Sequence, residues 1–92
     1  MAALTQPVPQ EAAVAAAIAR IAPPKGVRLR RIYFDTDHSG DPSVYIVYAV
    51  SKSLGLGPAR IRSLGILQSQ VTEVVDALHL DRLSYVRFED VK

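Results

Sequence analysis

The sequence predicts an α+β domain with its elements in the order α-β-β-α-β, a three-stranded sheet with two helices packed on one face. Three observations carry this reading. Two short apolar runs, residues 29–34 and 44–50, flank the loop Asp35-Thr-Asp-His-Ser-Gly-Asp-Pro42, whose Asp, Ser, Gly and Pro residues suit a hairpin tip. An alanine-rich stretch lies before this hairpin, and beyond residue 58 apolar residues recur three and four apart, the period of a helix face. A final run, residues 83–88, alternates like a strand.

Taken in order, residues 1–9 hold two prolines and little to bury, and read as a flexible N-terminal tail. Residues 10–92 form the single α+β domain. The first helix is predicted over 10–22, with Val14, Ala17, Ile18 and Ile21 on one face, and Pro23-Pro24 ends it by removing two backbone donors. Gly26 then turns the chain into a first strand, 27–34. Its alternation is imperfect: Val27, Leu29, Arg31 and Tyr33 lie on one side and Arg28, Arg30, Ile32 and Phe34 on the other. Each side changes character along its length, which points to an edge position or to a bulge, and leaves the register open.

The second strand, 44–50, is β-branched and aromatic with no charge on either side, so it belongs in the centre of the sheet. Pro58 suits the first position of the second helix, predicted over 58–79 with Ile61, Leu64, Leu67, Val71, Val74 and Leu78 as its apolar stripe. In the third strand Val86 and Phe88 point one way, Tyr85 and Arg87 the other. If that strand lies parallel to the second, the helix between them makes a right-handed crossover.

Composition excludes several function classes. No cysteine is present, so disulfides, thiolate metal sites and thiol catalysis are absent, which fits a cytoplasmic location. No targeting segment is visible, and no apolar run approaches the roughly 20 residues a membrane helix needs. A net charge of +2 does not by itself imply nucleic acid, although Arg20, Lys25, Arg28, Arg30 and Arg31 run without an intervening acid.

Four constellations resemble functional motifs. Asp35-x-Asp37-x-Ser39-Gly40 matches the first half of a calcium loop, but Ile46 stands where a bidentate Glu is needed and strands replace the flanking helices. His38 and His79 are too far apart in sequence to make a metal or catalytic pair evident, and His79 suits the negative end of the second helix. Gly55-Leu-Gly57-Pro-Ala-Arg60 is two thirds of a dinucleotide fingerprint, without its third glycine and with Pro58 removing a phosphate-binding N–H. Lys25-Gly-Val-Arg-Leu-Arg-Arg31 sets Arg28 and Arg30 on one side of a strand, about 6 to 7 Å apart, a spacing that suits successive phosphates. Tyr33 and Tyr45 could add base stacking.

Ser39-Gly-Asp-Pro-Ser-Val-Tyr45 and Tyr85-Val-Arg-Phe88 resemble the hairpin and closing strand of a class of small uncharacterised bacterial proteins. The resemblance carries over no activity to particular residues; such small proteins often work in pairs with the product of a neighbouring gene, as antitoxins do. A three-stranded sheet with both helices on one side leaves its other side bare, showing either Tyr45, Val47 and Ala49 or the alternate set. The expectation is therefore a non-enzymatic protein without cofactors or metal, acting by protein contact as a homodimer or as the small subunit of a two-protein system, with Tyr45, Val47 and Ala49 at the interface. The alternative is single-stranded nucleic-acid binding through Arg28, Arg30 and Arg31.

Overall fold

A computed structural model describes residues 10–51 and 57–91. The expected tail at 1–9 and the middle of the connection after the second strand lie outside the described residues. The elements follow the expected order: α1 (Gln10–Ile18), β1 (Val27–Thr36), β2 (Pro42–Ser51), α2 (Pro58–Asp76) and β3 (Leu83–Val91). The sheet order is β1-β2-β3, antiparallel across β1 and β2 and parallel across β2 and β3. β2 is thus the central strand that its uncharged sequence requires.

Both helices cover the same side. Val14 and Ile18 of α1 and Leu67, Val71 and Val75 of α2 form one buried cluster with Val44, Ile46, Tyr48 and Val50 of β2. Alternate β2 residues thereby supply the floor of the core, as strand geometry demands. Ile32 and Phe34 of β1 and Val86 and Phe88 of β3 pack against its margins. Tyr48 is 1% exposed and its hydroxyl has no hydrogen-bond partner among the described residues. Burial alone pushes its phenol above the ordinary value.

Helix α1 stops four residues short of the predicted end. The amides of Arg20 and Ile21 donate to carbonyls three residues back, Ala17 and Ile18, so the last turn tightens and then opens. Pro23 explains this, because the residue before a proline is pushed out of the helical region. Helix α2 begins as expected, with Pro58 in its first turn after an extended Gly57. It ends at Asp76 rather than 79: Leu78 and His79 donate to Val75 and Asp76, three residues back, and His79 takes a left-handed φ of 51°. His79 is therefore a backbone hinge residue at the helix end, a conformation in which His is enriched among non-glycine residues. Ile61, assigned to the apolar stripe, is 60% exposed, whereas Val75, not assigned to it, is buried.

Arg82 fastens the lower corner of the domain. Its Nε donates to Gln10 Oε1 at 3.0 Å, its Nη1 donates to the Ser43 carbonyl at 3.0 Å, and its guanidinium lies 4.7 Å from the Phe34 ring centre. One side chain thus joins the starts of α1, β2 and β3. Gly26, at φ 79°, makes the turn into β1, and its carbonyl accepts from the Ser51 amide at 2.8 Å.

Candidate functional site

The side of the sheet away from the helices is shaped by an irregularity in β1. The β1–β2 register shifts between Leu29 and Arg31, so Arg30 is the surplus residue of a bulge. Before it, Val27 and Leu29 pair with core-facing Val50 and Tyr48; after it, Ile32 and Phe34 pair with core-facing Ile46 and Val44. The imperfect alternation of the sequence is this change of phase. It also corrects the placement of residues 31–34: Arg31 and Tyr33, expected on the opposite side from Arg28 and Arg30, pair with Val47 and Tyr45 and join them on the open side, while Ile32 and Phe34 join Val27 and Leu29 on the core side.

Reading the register across all three strands gives four rows on that open side. They are Asp35–Ser43–Leu83, Tyr33–Tyr45–Tyr85, Arg31–Val47–Arg87 and Arg28–Ala49–Glu89. In the second row the rings of Tyr33 and Tyr45 stack at 4.9 Å and 16°, and those of Tyr45 and Tyr85 at 5.3 Å and 19°. Such spacings are those of offset aromatic pairs, with ring faces turned on one another across the strands. The Arg31 guanidinium lies 4.8 Å from the Tyr33 ring centre and that of Arg87 lies 4.7 Å from Tyr45. Arg30 reaches across the sheet to Glu89, Nη1 to Oε1 at 3.0 Å.

The consequence is that the three central residues are already covered. Tyr45, Val47 and Ala49 are 7%, 0% and 2% exposed in the single chain. The sheet side expected to be bare is roofed by the long side chains of the outer strands, which lay their apolar stems and flat groups over the centre. What it presents outward is therefore tyrosine edges and guanidinium groups. Arg28, Arg31 and Arg87 have no carboxylate partner among the described residues, and all three are exposed.

The hairpin loop closes one end of this surface. Asp37 is 8% exposed and organises the turn: its Oδ1 accepts from the amides of Ser39 and Asp41 at 2.9 and 3.0 Å, and its Oδ2 accepts from the Tyr85 hydroxyl at 2.8 Å. Gly40, at φ 85°, supplies the backbone conformation that a side chain would resist. The Asp41 amide, then the Tyr85 hydroxyl, hold the Asp37 carboxyl below the usual carboxylate range, overcoming the opposite push of burial. The bond to Asp37 pushes the Tyr85 phenol up. Asp37, the second acid of the apparent calcium motif, thus spends both oxygens on the hairpin and on β3. Among the described residues no group of three or more His, Asp or Glu side chains is placed to hold a metal ion.

Sequence reasoning found β2 and the three β1 arginines but missed Tyr85, Arg87 and Asp37 as parts of the same surface. A usable signal was present, one tyrosine in each strand, because cross-strand aromatic pairs recur in sheets. Of the dinucleotide-like motif, Gly55 lies outside the described residues; Arg60 donates to the Lys25 carbonyl at 2.7 Å. Among the described residues no helix is long and apolar enough to cross a membrane. Fold and surface together define a two-layer α+β domain with an arginine and tyrosine sheet face. Comparison with protein-family models, curated proteins and solved structures finds no match for the chain.

Proposed function

We propose that the protein acts by protein contact and not as an enzyme, either as a homodimer or as the small subunit of a two-protein, antitoxin-like system. Toward a second protein its contact surface is the layer that lies on Tyr45, Val47 and Ala49. One observation carries this reading: the tyrosine ladder holds Arg31 and Arg87 against its rings and, with Arg28, offers three guanidinium groups without carboxylate partners. Tyrosine and arginine are the residue types that anchor protein interfaces, and stacking restrains them before a partner arrives. The complementary surface is one that brings carboxylates. Sedimentation of the chain up to high micromolar concentration, alone and with the protein encoded beside it, tests the reading. Association is expected, and Arg28→Glu with Arg31→Glu is expected to weaken binding to the neighbouring protein by about tenfold or more. A monomer that also sediments apart from that neighbour would sink it.

A second reading has its own support. The bulge brings Arg28, Arg30 and Arg31 to one side of the sheet, beside tyrosines, as in sheet platforms that bind single-stranded RNA. Against it, Tyr45 at 7% exposure has no free ring face on which a base could stack. A salt titration with single-stranded RNA separates the two readings: phosphate contacts strengthen as salt falls, so binding absent at low salt removes the nucleic-acid reading.

A further inference from the structure

The two edges of the sheet differ in a way that selects one of them for self-association. Sheet edges carry unpaired backbone donors and acceptors and join other strands unless something prevents it. At the β1 edge, the bulge at Arg30 breaks the ladder and Arg28, Arg30 and Arg31 repel a second copy of themselves. The β3 edge has neither safeguard. β3 pairs with β2 without a break from Leu83 to Val91, contains no proline, and holds both signs of charge. Val86 and Phe88, which belong to the core side, are only half-buried there because among the described residues no strand lies beyond them.

We propose that β3 pairs antiparallel with β3 of a second copy, about a two-fold axis at Phe88, joining two three-stranded sheets into one of six. The inference rests on the protein-contact reading and names the homodimer's edge and register. In an antiparallel pair, residues directly opposite point to the same side of the sheet. Centring on Phe88 sets Phe88 against its own copy on the core side. On the open side it sets Arg87 against Glu89 of the partner, twice by symmetry. Centring one residue earlier would set Arg87 against Arg87, a like-charge pair that destabilises a sheet. The Phe88 register also extends the existing bond between Arg30 and Glu89 into a line of charge running from one sheet to the next. The guanidinium and tyrosine layer then becomes continuous across both copies.

Charge exchange at two positions tests both edge and register. Arg87→Glu alone sets two acids opposite each other, and Glu89→Arg alone sets two bases opposite each other; each is expected to raise the dimer dissociation constant by about tenfold. An equimolar mixture of the two variants is expected to form a heterodimer of near wild-type affinity. That recovery also shows that both variants are folded. A wild-type dimer that neither substitution weakens, or two weakened variants that do not recover on mixing, overturns the β3 assignment while leaving protein contact standing. A wild-type chain that stays monomeric overturns self-association, and binding to the neighbouring protein then decides the broader reading.

Discussion

On one side of β2, Val44, Ile46, Tyr48 and Val50 lie beneath aliphatic side chains from two helices; on the other, Tyr45, Val47 and Ala49 lie beneath rings and guanidinium groups from the neighbouring strands. Both sets are dry, yet they are kept dry by different materials. The helical cover is short-branched, interlocked and fixed by the backbone of α1 and α2. The other cover is made of long side chains whose ends remain in water. A strand with no charge on either side therefore signals burial without saying whether a second layer of backbone supplies it.

The difference has measurable consequences. Ile46→Ala should show the largest effect, about 3 kcal/mol lost in urea unfolding, because the helices cannot settle into the space left behind. Val47→Ala, although its side is equally closed, should cost about 1 kcal/mol, since the arginine stems above can relax into the gap. Equal losses per carbon removed would show that the two covers are equally rigid and would break the contrast. The smallest effect should be a change in acid sensitivity.

The Asp37 carboxyl titrates below its ordinary range in the folded chain, so its contribution to stability is present above that range and lost as pH falls through it. Tyr85 is shifted upward, so its share is present at neutrality and lost only as pH rises past the ordinary phenol value. Tyr85→Phe should therefore lose less stability than the wild type between neutral pH and about pH 3. Identical losses would mean that the bond between Asp37 and Tyr85 adds nothing to the hold of β3 on the hairpin.

Much of the architecture was legible because its signals are local. Apolar spacing marked α2, uncharged residues marked β2 as central, and Val86 with Phe88 against Tyr85 with Arg87 marked the two sides of β3 correctly. The helix ends at Ile18 and Asp76 were less legible because three-residue-back bonding at Arg20, Ile21, Leu78 and His79 leaves little trace in composition. The surface over β2 was hardest to see. Its pieces come from three strands, and the phase of β1 cannot be read without its pairing partner. Once Arg30 is recognised as surplus, Arg31 and Tyr33 fall beside Val47 and Tyr45, and the cover expected from another polypeptide is found within the chain itself.

That single surplus residue has a wider consequence. Ironing out the bulge, so that Arg30 took an ordinary place in the ladder, would rotate everything on one side of it through half a turn. Either Val27 and Leu29 would then face water or Ile32 and Phe34 would, together with the loss of the Arg31 and Tyr33 roof. An extra residue in a surface loop is absorbed by the loop, but here the bulge that absorbs it sets the parity on which both the oily interior and the charged exterior depend.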